Sequence, residues 1–79
     1  MRDTQPPIEN DEQYQGYQQA RKTLTKVVAE REARLIAALG GGDEELIEDR
    51  RTELLNILRK RQGIIDAIKE YERRQRQTA

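Results

Sequence analysis

Three consecutive glycines followed by acidic residues form the segment that comes nearest to a ligand-binding loop. Gly40, Gly41 and Gly42 precede Asp43. Glycine-rich loops that lead into a helix bind phosphate through their backbone N–H groups. The common phosphate-binding loop continues with Lys and then Ser or Thr, whereas this one continues with carboxylates, which would repel phosphate. We therefore interpret the triplet as a turn that ends one helix, and rank phosphate binding well below that interpretation.

The carboxylates after the glycines have the chemistry to attract Mg²⁺ or Ca²⁺. An EF-hand loop places its calcium ligands at alternating positions with a glycine at its sharp turn, and that spacing is absent here. Carboxylates are also common in the first turn of a helix, where they interact favourably with the helix dipole. We predict that the cluster opens a helix and binds no metal. It consists of Asp43, Glu44, Glu45, Glu48 and Asp49.

The chain lacks the residues that most enzymes use as nucleophile and base. It contains no Cys, His or Ser. Thr, Lys and Tyr remain as nucleophiles, but no arrangement of nucleophile, base and orienting group is recognisable. Without Cys and His, the usual zinc and copper ligands are also missing. We therefore predict a protein that is not an enzyme and that has no catalytic, cofactor-binding or metal-binding residues.

The composition is that of one small and highly polar domain. Of 79 residues, 38% are charged and 34% hydrophobic, with 15 basic and 15 acidic side chains. A chain this short rarely builds a deep core alone, and without disulfides the remaining means of stabilisation is oligomerisation. The balanced charge gives no general attraction to nucleic acid or anionic lipid. No signal peptide or bilayer-spanning run of ~20 apolar residues is present, so we expect a cytoplasmic protein that does not contact membranes.

Proline, glycine and capping residues divide the chain into a helical hairpin with short ends. We predict a flexible N-terminal arm over 1–9, a helix over 10–39, a glycine turn over 40–42, a helix over 43–75 and a frayed tail over 76–79. A turn this short permits only antiparallel neighbours. The predicted fold class is therefore all-α, an antiparallel two-helix hairpin of coiled-coil type.

Capping residues mark the start of each predicted helix. Asn10 is followed three residues later by Gln13, which matches the spacing of a capping box. Asp43 follows the glycine triplet, and its side chain is suited to cap the second helix. Both predicted helices therefore begin with a residue that can satisfy their free N–H groups.

Apolar residues recur along one face of each predicted helix with the period of an α-helix, and the alternation expected of a strand is missing. On the first helix this face contains Tyr14, Tyr17, Leu24, Val27, Val28, Leu35 and Leu39. We expect Tyr14 to approach Tyr71 at the open end of the hairpin, with both hydroxyl groups at the rim of the core.

The second helix carries two apolar stripes. Ile47, Leu54, Leu58 and Ile65 form one; Leu46, Ile57, Ile64 and Tyr71 form the other. The first helix covers only one of them, and an exposed stripe of this size marks an interface. We predict closure by a homodimer into a four-helix bundle, or by another helical protein. The predicted interface residues are Leu46, Leu54, Ile57, Leu58, Ile64, Ile65, Ile68 and Tyr71.

The charge pattern favours the antiparallel hairpin but raises a difficulty over register. Each helix begins with acidic residues and ends with basic ones, so antiparallel packing brings opposite charges together. With the turn centred on Gly41, the numbers of opposed residues sum to roughly 82. That register sets Arg21 against Arg61 and Arg31 against Arg51, and like charges in such positions repel.

The basic end of the second helix supports an alternative function. Residues 59–76 contain seven basic and three acidic side chains, and a small dimeric bundle can bind RNA or DNA with such a surface. These charges also suit a helix C-terminus, and Phe and Trp are lacking for base stacking. The candidate contacts are Arg59, Lys60, Arg61, Arg73 and Arg74.

Two short segments resemble a known family. The segment 7–14, PIENDEQY, resembles the opening of the HigA-like antitoxins of toxin–antitoxin systems, and Ile64, Ile68 and Tyr71-Glu72 are similar to the end of that family's helical hairpin. In the family a DNA-reading helix-turn-helix domain follows the hairpin, and this sequence has no matching positions. The resemblance thus implies a hairpin that oligomerises or binds a partner, without operator recognition. From the residues and the resemblance we predict a protein-interaction module, antitoxin-like or regulatory, with nucleic-acid binding as the alternative.

Overall fold

A computed structural model describes residues 4–78 and shows two long helices that pack against each other in antiparallel orientation. Helix α1 spans Asp11–Gly41 and helix α2 spans Glu44–Thr78. The molecule is a rod of 54 × 21 × 15 Å. The prediction of an all-α hairpin is therefore confirmed. The predicted tail over 76–79 is helical as far as Thr78, and residue 79 lies outside the described residues.

The turn between the helices is shorter than the glycine triplet suggests. Gly40 and Gly41 belong to α1, and Gly42 ends it with φ of 76° in the left-handed region. The Gly42 N–H donates to the carbonyl of Ala38 at 3.2 Å, which closes the last turn of the helix. The predicted turn over 40–42 therefore begins too early, because a glycine that is free to leave the helical conformation is not forced to do so. Only Gly42 adopts the backbone conformation that favours glycine.

Asp43 starts α2 as the sequence predicts. Its Oδ1 accepts hydrogen bonds from the backbone N–H groups of Glu45 at 3.1 Å and Leu46 at 3.2 Å. These N–H groups are the ones that a phosphate at this helix start would need. Because the carboxylate occupies them, the glycine segment is a turn followed by an N-cap.

The short turn moves the register of the hairpin from the predicted one. Since the connection is Gly42 and Asp43, opposed residues are shifted by about three positions relative to a turn centred on Gly41. Arg31 therefore pairs with Glu53, with Nη1 and Oε2 3.3 Å apart. Arg51 pairs within its own helix with Glu48 at 3.1 Å. The predicted repulsion between Arg31 and Arg51 is thus replaced by two ion pairs.

The start of α1 confirms the capping prediction in a modified form. Asn10 Oδ1 accepts from the Gln13 N–H at 2.9 Å. Gln13 Oε1 accepts from the N–H of Glu9 at 2.7 Å, one residue before the N-cap that a standard capping box would use. These two hydrogen bonds hold the end of the arm against the first turn of α1.

The N-terminal arm is docked on the hairpin, contrary to the prediction that residues 1–9 are flexible. Residues 4–9 have no regular secondary structure, but Ile8 is fully buried. Tyr17 donates its hydroxyl hydrogen to the Pro6 carbonyl at 2.8 Å, and Arg74 Nη2 donates to the Ile8 carbonyl at 2.7 Å. Side chains from both helices thus satisfy the arm's carbonyl groups while its isoleucine enters the core. The predicted arm's residues 1–3 lie outside the described residues.

The core lies at the open end of the hairpin, where the arm adds a third layer. Its buried residues are Ile8, Leu24, Ile64, Ile68 and Tyr71. Partly buried neighbours complete the cluster, namely Tyr14, Tyr17, Ala20, Ile57 and Ala67. Arm, α1 and α2 each contribute apolar side chains, so this end of the molecule has a core that two helices alone do not provide.

Two stacked tyrosines close the core at its outer end. The rings of Tyr14 and Tyr71 are 5.0 Å apart with an interplanar angle of 28°, which confirms their predicted approach. Tyr71 donates to Asp11 Oδ1 at 2.6 Å, and Tyr14 donates to Glu72 Oε2 at 2.7 Å. The hydrogen bond to Glu72 raises the pKa of Tyr14, and the hydrogen bond to Asp11 raises the pKa of Tyr71, because each carboxylate favours the protonated phenol.

Replacing Ile8 by Ala should destabilise the hairpin strongly, because it removes the only fully buried side chain found among the described residues. We expect the free energy of unfolding to fall by about 2–5 kcal/mol, measured by urea unfolding followed by circular dichroism. The matched control is Leu55→Ala, which removes the same number of carbon atoms from a side chain that is 45% exposed. That change should cost less than about 0.5 kcal/mol. Equal losses in the two variants would contradict docking of the arm.

The hairpin should lose stability at alkaline pH. The folded state raises the pKa of Tyr14 and Tyr71 above the unfolded value of about 10. Above that pH the unfolded chain therefore holds fewer protons than the folded one, and the free energy of unfolding falls as pH rises. Urea midpoints measured from neutral pH upward should decline more steeply for the wild type than for the doubly substituted Tyr14→Phe/Tyr71→Phe chain. Identical slopes would show that neither phenol is linked to folding.

Candidate interaction surface

Three of the predicted interface residues are part of the hairpin's own core. Ile64, Ile68 and Tyr71 are 6%, 4% and 7% exposed. Ile57 also packs against this core. These residues were predicted to contact a partner because α1 alone covers only one of the two stripes on α2. With Ile8 inserted between the helices, the chain itself buries Ile64, Ile68 and Tyr71, and Ile57 is half-buried beside them.

The other four predicted interface residues remain partly or largely accessible. Leu54 and Ile65 are half-buried. Leu46 and Leu58 are 38% and 39% exposed. In the middle of α2 the stripe that contains Leu54, Leu58 and Ile65 is therefore less covered than the one that contains Ile57 and Ile64. Near the turn, Leu46 of that second stripe is as exposed as Leu58.

Helix α1 adds two exposed apolar residues that the predicted interface omits. Ile36 is 68% exposed and Leu39 is 52% exposed. The predicted apolar face of α1 contains Leu39 but not Ile36. The sequence does contain a signal for Ile36, because this large aliphatic residue lies outside the arc of α1 that α2 can cover. The sequence gave no indication that the two helices present exposed apolar residues on the same side of the hairpin.

A contact between the helices shows which side of the hairpin carries these exposed apolar residues. Arg61 Nε donates to Thr25 Oγ1 at 3.0 Å, so both residues lie on one side of the hairpin. A helix returns to the same face after three, four, seven, eleven and fourteen residues. On α1, Ile36 and Leu39 lie eleven and fourteen residues after Thr25. On α2, Leu58 lies about 60° around the helix from Arg61, on the side away from Ile64, which lies about 60° from Arg61 in the other direction.

We name this surface the open apolar face. It extends over both helices from the turn to the middle of the rod. Its members at these spacings are Val28, Ile36 and Leu39 of α1 and Ile47, Leu54, Leu58 and Ile65 of α2. Three of the seven, Ile36, Leu39 and Leu58, are exposed, and the other four are half-buried. Exposed apolar residues grouped on one side of a small protein often mark an interface.

The docked arm lies on the opposite side of the rod. Gly16, Tyr17 and Ala20 line the cleft between the arm and α1. Thr25 is nine residues from Gly16, about two and a half helical turns, and so points away from the arm. Arg61 is likewise two residues from Gly63, which lines the arm's cleft on α2. The arm therefore leaves the open apolar face uncovered.

Basic residues border the open apolar face on the side of the open end. A shallow depression of about 430 Å³ contains Arg21, Lys22, Lys26 and Arg61, together with Thr25. We name these four cations the basic cluster. No carboxylate lines the depression, so the positive charges that the sequence set opposite one another do come together here. Their mutual repulsion is a cost that an external anionic group would relieve.

Acidic residues dominate the other end of the molecule. Residues 30–53 contain eight acidic and four basic side chains. Glu32 is seven residues from Thr25, so it lies on the open apolar face, where it is exposed. Glu32 therefore lies among the aliphatic residues of the face, between Val28 and Ile36, while the basic cluster lies on the open-end side of Val28.

The predicted nucleic-acid contacts do not form one free surface. Arg61 bonds to Thr25, Arg74 donates to the arm, and Arg73 Nε donates to Glu70 at 3.0 Å. Glu70 raises the pKa of Arg73, and Arg73 lowers that of Glu70, as expected of an ion pair. Arg59 and Lys60 are exposed. Nucleic-acid binding stays a prediction, with three of its five residues engaged within the chain.

Other kinds of site find little support in residues 4–78. Within this range no three acidic side chains are grouped in a way that would hold a metal ion. Neither helix has a stretch that is both long and apolar enough to cross a bilayer. The clefts beside the arm are shallow and are lined mainly by Pro, Gly, Ala and amide side chains. The open apolar face is therefore the feature that most needs a functional explanation.

Known proteins offer no guide to that explanation. Comparisons of the chain with protein families, with curated proteins and with solved structures gave no match.

Proposed function

We propose that this hairpin is a non-enzymatic protein-interaction module that associates through its open apolar face to form a four-helix bundle. The proposal is supported by the difference between the two sides of the rod, since the arm covers apolar residues on only one of them. The arm buries the stripe that contains Ile64 and Tyr71, whereas Ile36, Leu39 and Leu58 on the other side remain 68%, 52% and 39% exposed.

The form of the surface favours a helical partner. Two antiparallel helices present a long shallow groove between parallel rows of aliphatic side chains, and helices pack into such grooves. A second hairpin would cover both rows at once and produce a bundle of the common four-helix type. This closure also supplies the additional apolar burial that a 79-residue chain without disulfides lacks by itself.

The test is the solution molar mass of the wild type and of a Leu58→Glu variant, measured by light scattering over a range of concentrations. We expect the wild type to associate and the variant to be monomeric, because the glutamate would bury a charge at the centre of the interface. Leu58 is exposed in the single chain, so the variant should fold normally, and circular dichroism checks this.

Asn56→Glu provides the matched control. It introduces the same charge on the same helix, two residues away and therefore on nearly the opposite side. This variant should associate like the wild type. A wild type that stays monomeric at all concentrations and captures no second helical protein would refute the proposal, as would equal effects of the two substitutions.

A further inference from the structure

We propose that the depression lined by the basic cluster binds a diphosphate group, either as free pyrophosphate or as the diphosphate of a small molecule. The depression lies beside the open apolar face, on its open-end side, and all of its cations belong to one chain. The inference therefore goes beyond the proposed function and does not depend on association of the hairpin.

Two arginines of the cluster lie beside the core without a carboxylate partner. Arg21 is three residues before the buried Leu24, and Arg61 is three residues before the buried Ile64. Both arginines are half-buried, so part of their hydration is lost. Among the described residues, none of the four cations of the cluster forms an ion pair. The charge is thus held between the helices with nothing to balance it.

A second pair of half-buried arginines, nearer the turn, shows how this chain neutralises such a charge. Glu53 Oε2 lies 3.3 Å from Arg31 Nη1 across the hairpin, and its Oε1 lies 3.0 Å from Arg50 Nη1 within α2. One carboxylate there serves two guanidinium groups. No carboxylate lines the depression that holds the basic cluster. An anion from outside the chain would complete the cluster as Glu53 completes the other pair.

Thr25 holds Arg61 in an orientation suited to such an anion. Its Oγ1 accepts from Arg61 Nε at 3.0 Å and donates to the Arg21 carbonyl at 2.9 Å. Both hydrogen-bonding roles of the hydroxyl are thereby used, while no hydrogen bond to the Nη groups of Arg61 is found within residues 4–78. A guanidinium fixed through Nε offers its remaining N–H groups to phosphate oxygens at a reduced entropic cost.

The extent of the cluster selects a diphosphate rather than a single phosphate. On α1 the cations run from Arg21 to Lys26, five residues or about 7.5 Å along the helix, and Arg61 faces them from α2. Lys22 and Lys26 are one helical turn apart and exposed. Two linked phosphoryl groups provide enough oxygen atoms to contact all four cations at once, whereas one group would leave part of the positive charge unbalanced.

Carboxylates on the same side of the rod limit the length of the anion. Toward the turn, Glu32 is seven residues from Thr25 and exposed. Toward the open end, Gln18 donates to the Tyr14 hydroxyl at 2.9 Å, and that hydroxyl donates to Glu72. Gln18 is seven residues before Thr25, so Glu72 lies on this side as well. A nucleic-acid backbone continuing past the cluster would meet negative charge in both directions.

Titration with pyrophosphate, followed by the backbone amide signals in NMR spectra, tests the site. The solution contains no divalent cation, and a parallel titration with sodium chloride controls for ionic strength. We expect saturable shifts centred on residues 21–26 and on Arg61, with an affinity about tenfold higher than that of inorganic phosphate. Absence of saturable shifts, or shifts spread evenly over all basic residues, would overturn the inference.

Paired substitutions test which cations bind the ligand. Arg21→Gln with Arg61→Gln should weaken pyrophosphate binding at least about tenfold, because two charge-assisted contacts are lost. The matched control is Arg34→Gln with Arg59→Gln, which also removes one arginine from each helix. Both control residues are exposed and lie outside the depression, so the affinity should change less than about twofold. Equal losses in the two variants would show only general attraction between charges and would contradict a site.

A second variant keeps the test valid if the loss of two half-buried arginines disturbs the fold. Lys22→Gln with Lys26→Gln changes only exposed side chains. It should preserve the circular dichroism spectrum and weaken pyrophosphate binding about fivefold to tenfold. Unchanged affinity in this correctly folded variant would exclude the lysines from the site and refute the four-cation arrangement.

Adenosine diphosphate distinguishes the two sources of the ligand. Affinity equal to that of pyrophosphate supports recognition of the diphosphate alone, and higher affinity supports a diphosphate ester. Tighter binding of a single-stranded RNA, with equal losses in the cluster variant and its matched control, would overturn the inference in favour of a general polyanion surface. Pyrophosphate binding by a chain that stays monomeric supports this inference even if the proposed function fails, and association without pyrophosphate binding refutes this inference alone.

Discussion

Burial of Ile8 between the two helices is the interaction on which the rest of the structure depends. Two helices alone enclose little apolar volume, and a third element is needed to exclude water from a side chain completely. The arm provides it, and Tyr17 and Arg74 hold its carbonyl groups in place. The open end of the rod therefore has a small three-layered core, while the half near the turn has only two layers.

This asymmetry decides which surface is left for a partner. The arm covers one side at the open end, so Ile36, Leu39 and Leu58 on the other side remain exposed. The same asymmetry separates the charges. The basic cluster lies beside the well-packed half, and the acidic start of α2 lies at the turn.

Local signals were sufficient for most of the hairpin. Asn10 and Asp43 cap the helices as expected, because a cap involves only residues within one turn. Tyr14 and Tyr71 approach each other as expected, because both lie far from the turn, where the antiparallel arrangement brings the two ends together. The register was displaced, since sequence alone could not show that α1 continues through Gly41. A glycine permits a helix to end but does not require it.

The sequence by itself determined the two helices, their antiparallel direction and the surplus of aliphatic residues on α2, because each follows from periodicity and from a short connection. Only the tertiary structure decided which of the two stripes on α2 is covered. That choice depends on Ile8, which is more than fifty residues from Ile64 and Ile68 in the chain. No local pattern encodes such a contact, since it forms only when arm, α1 and α2 are packed together and water is excluded from all three at once.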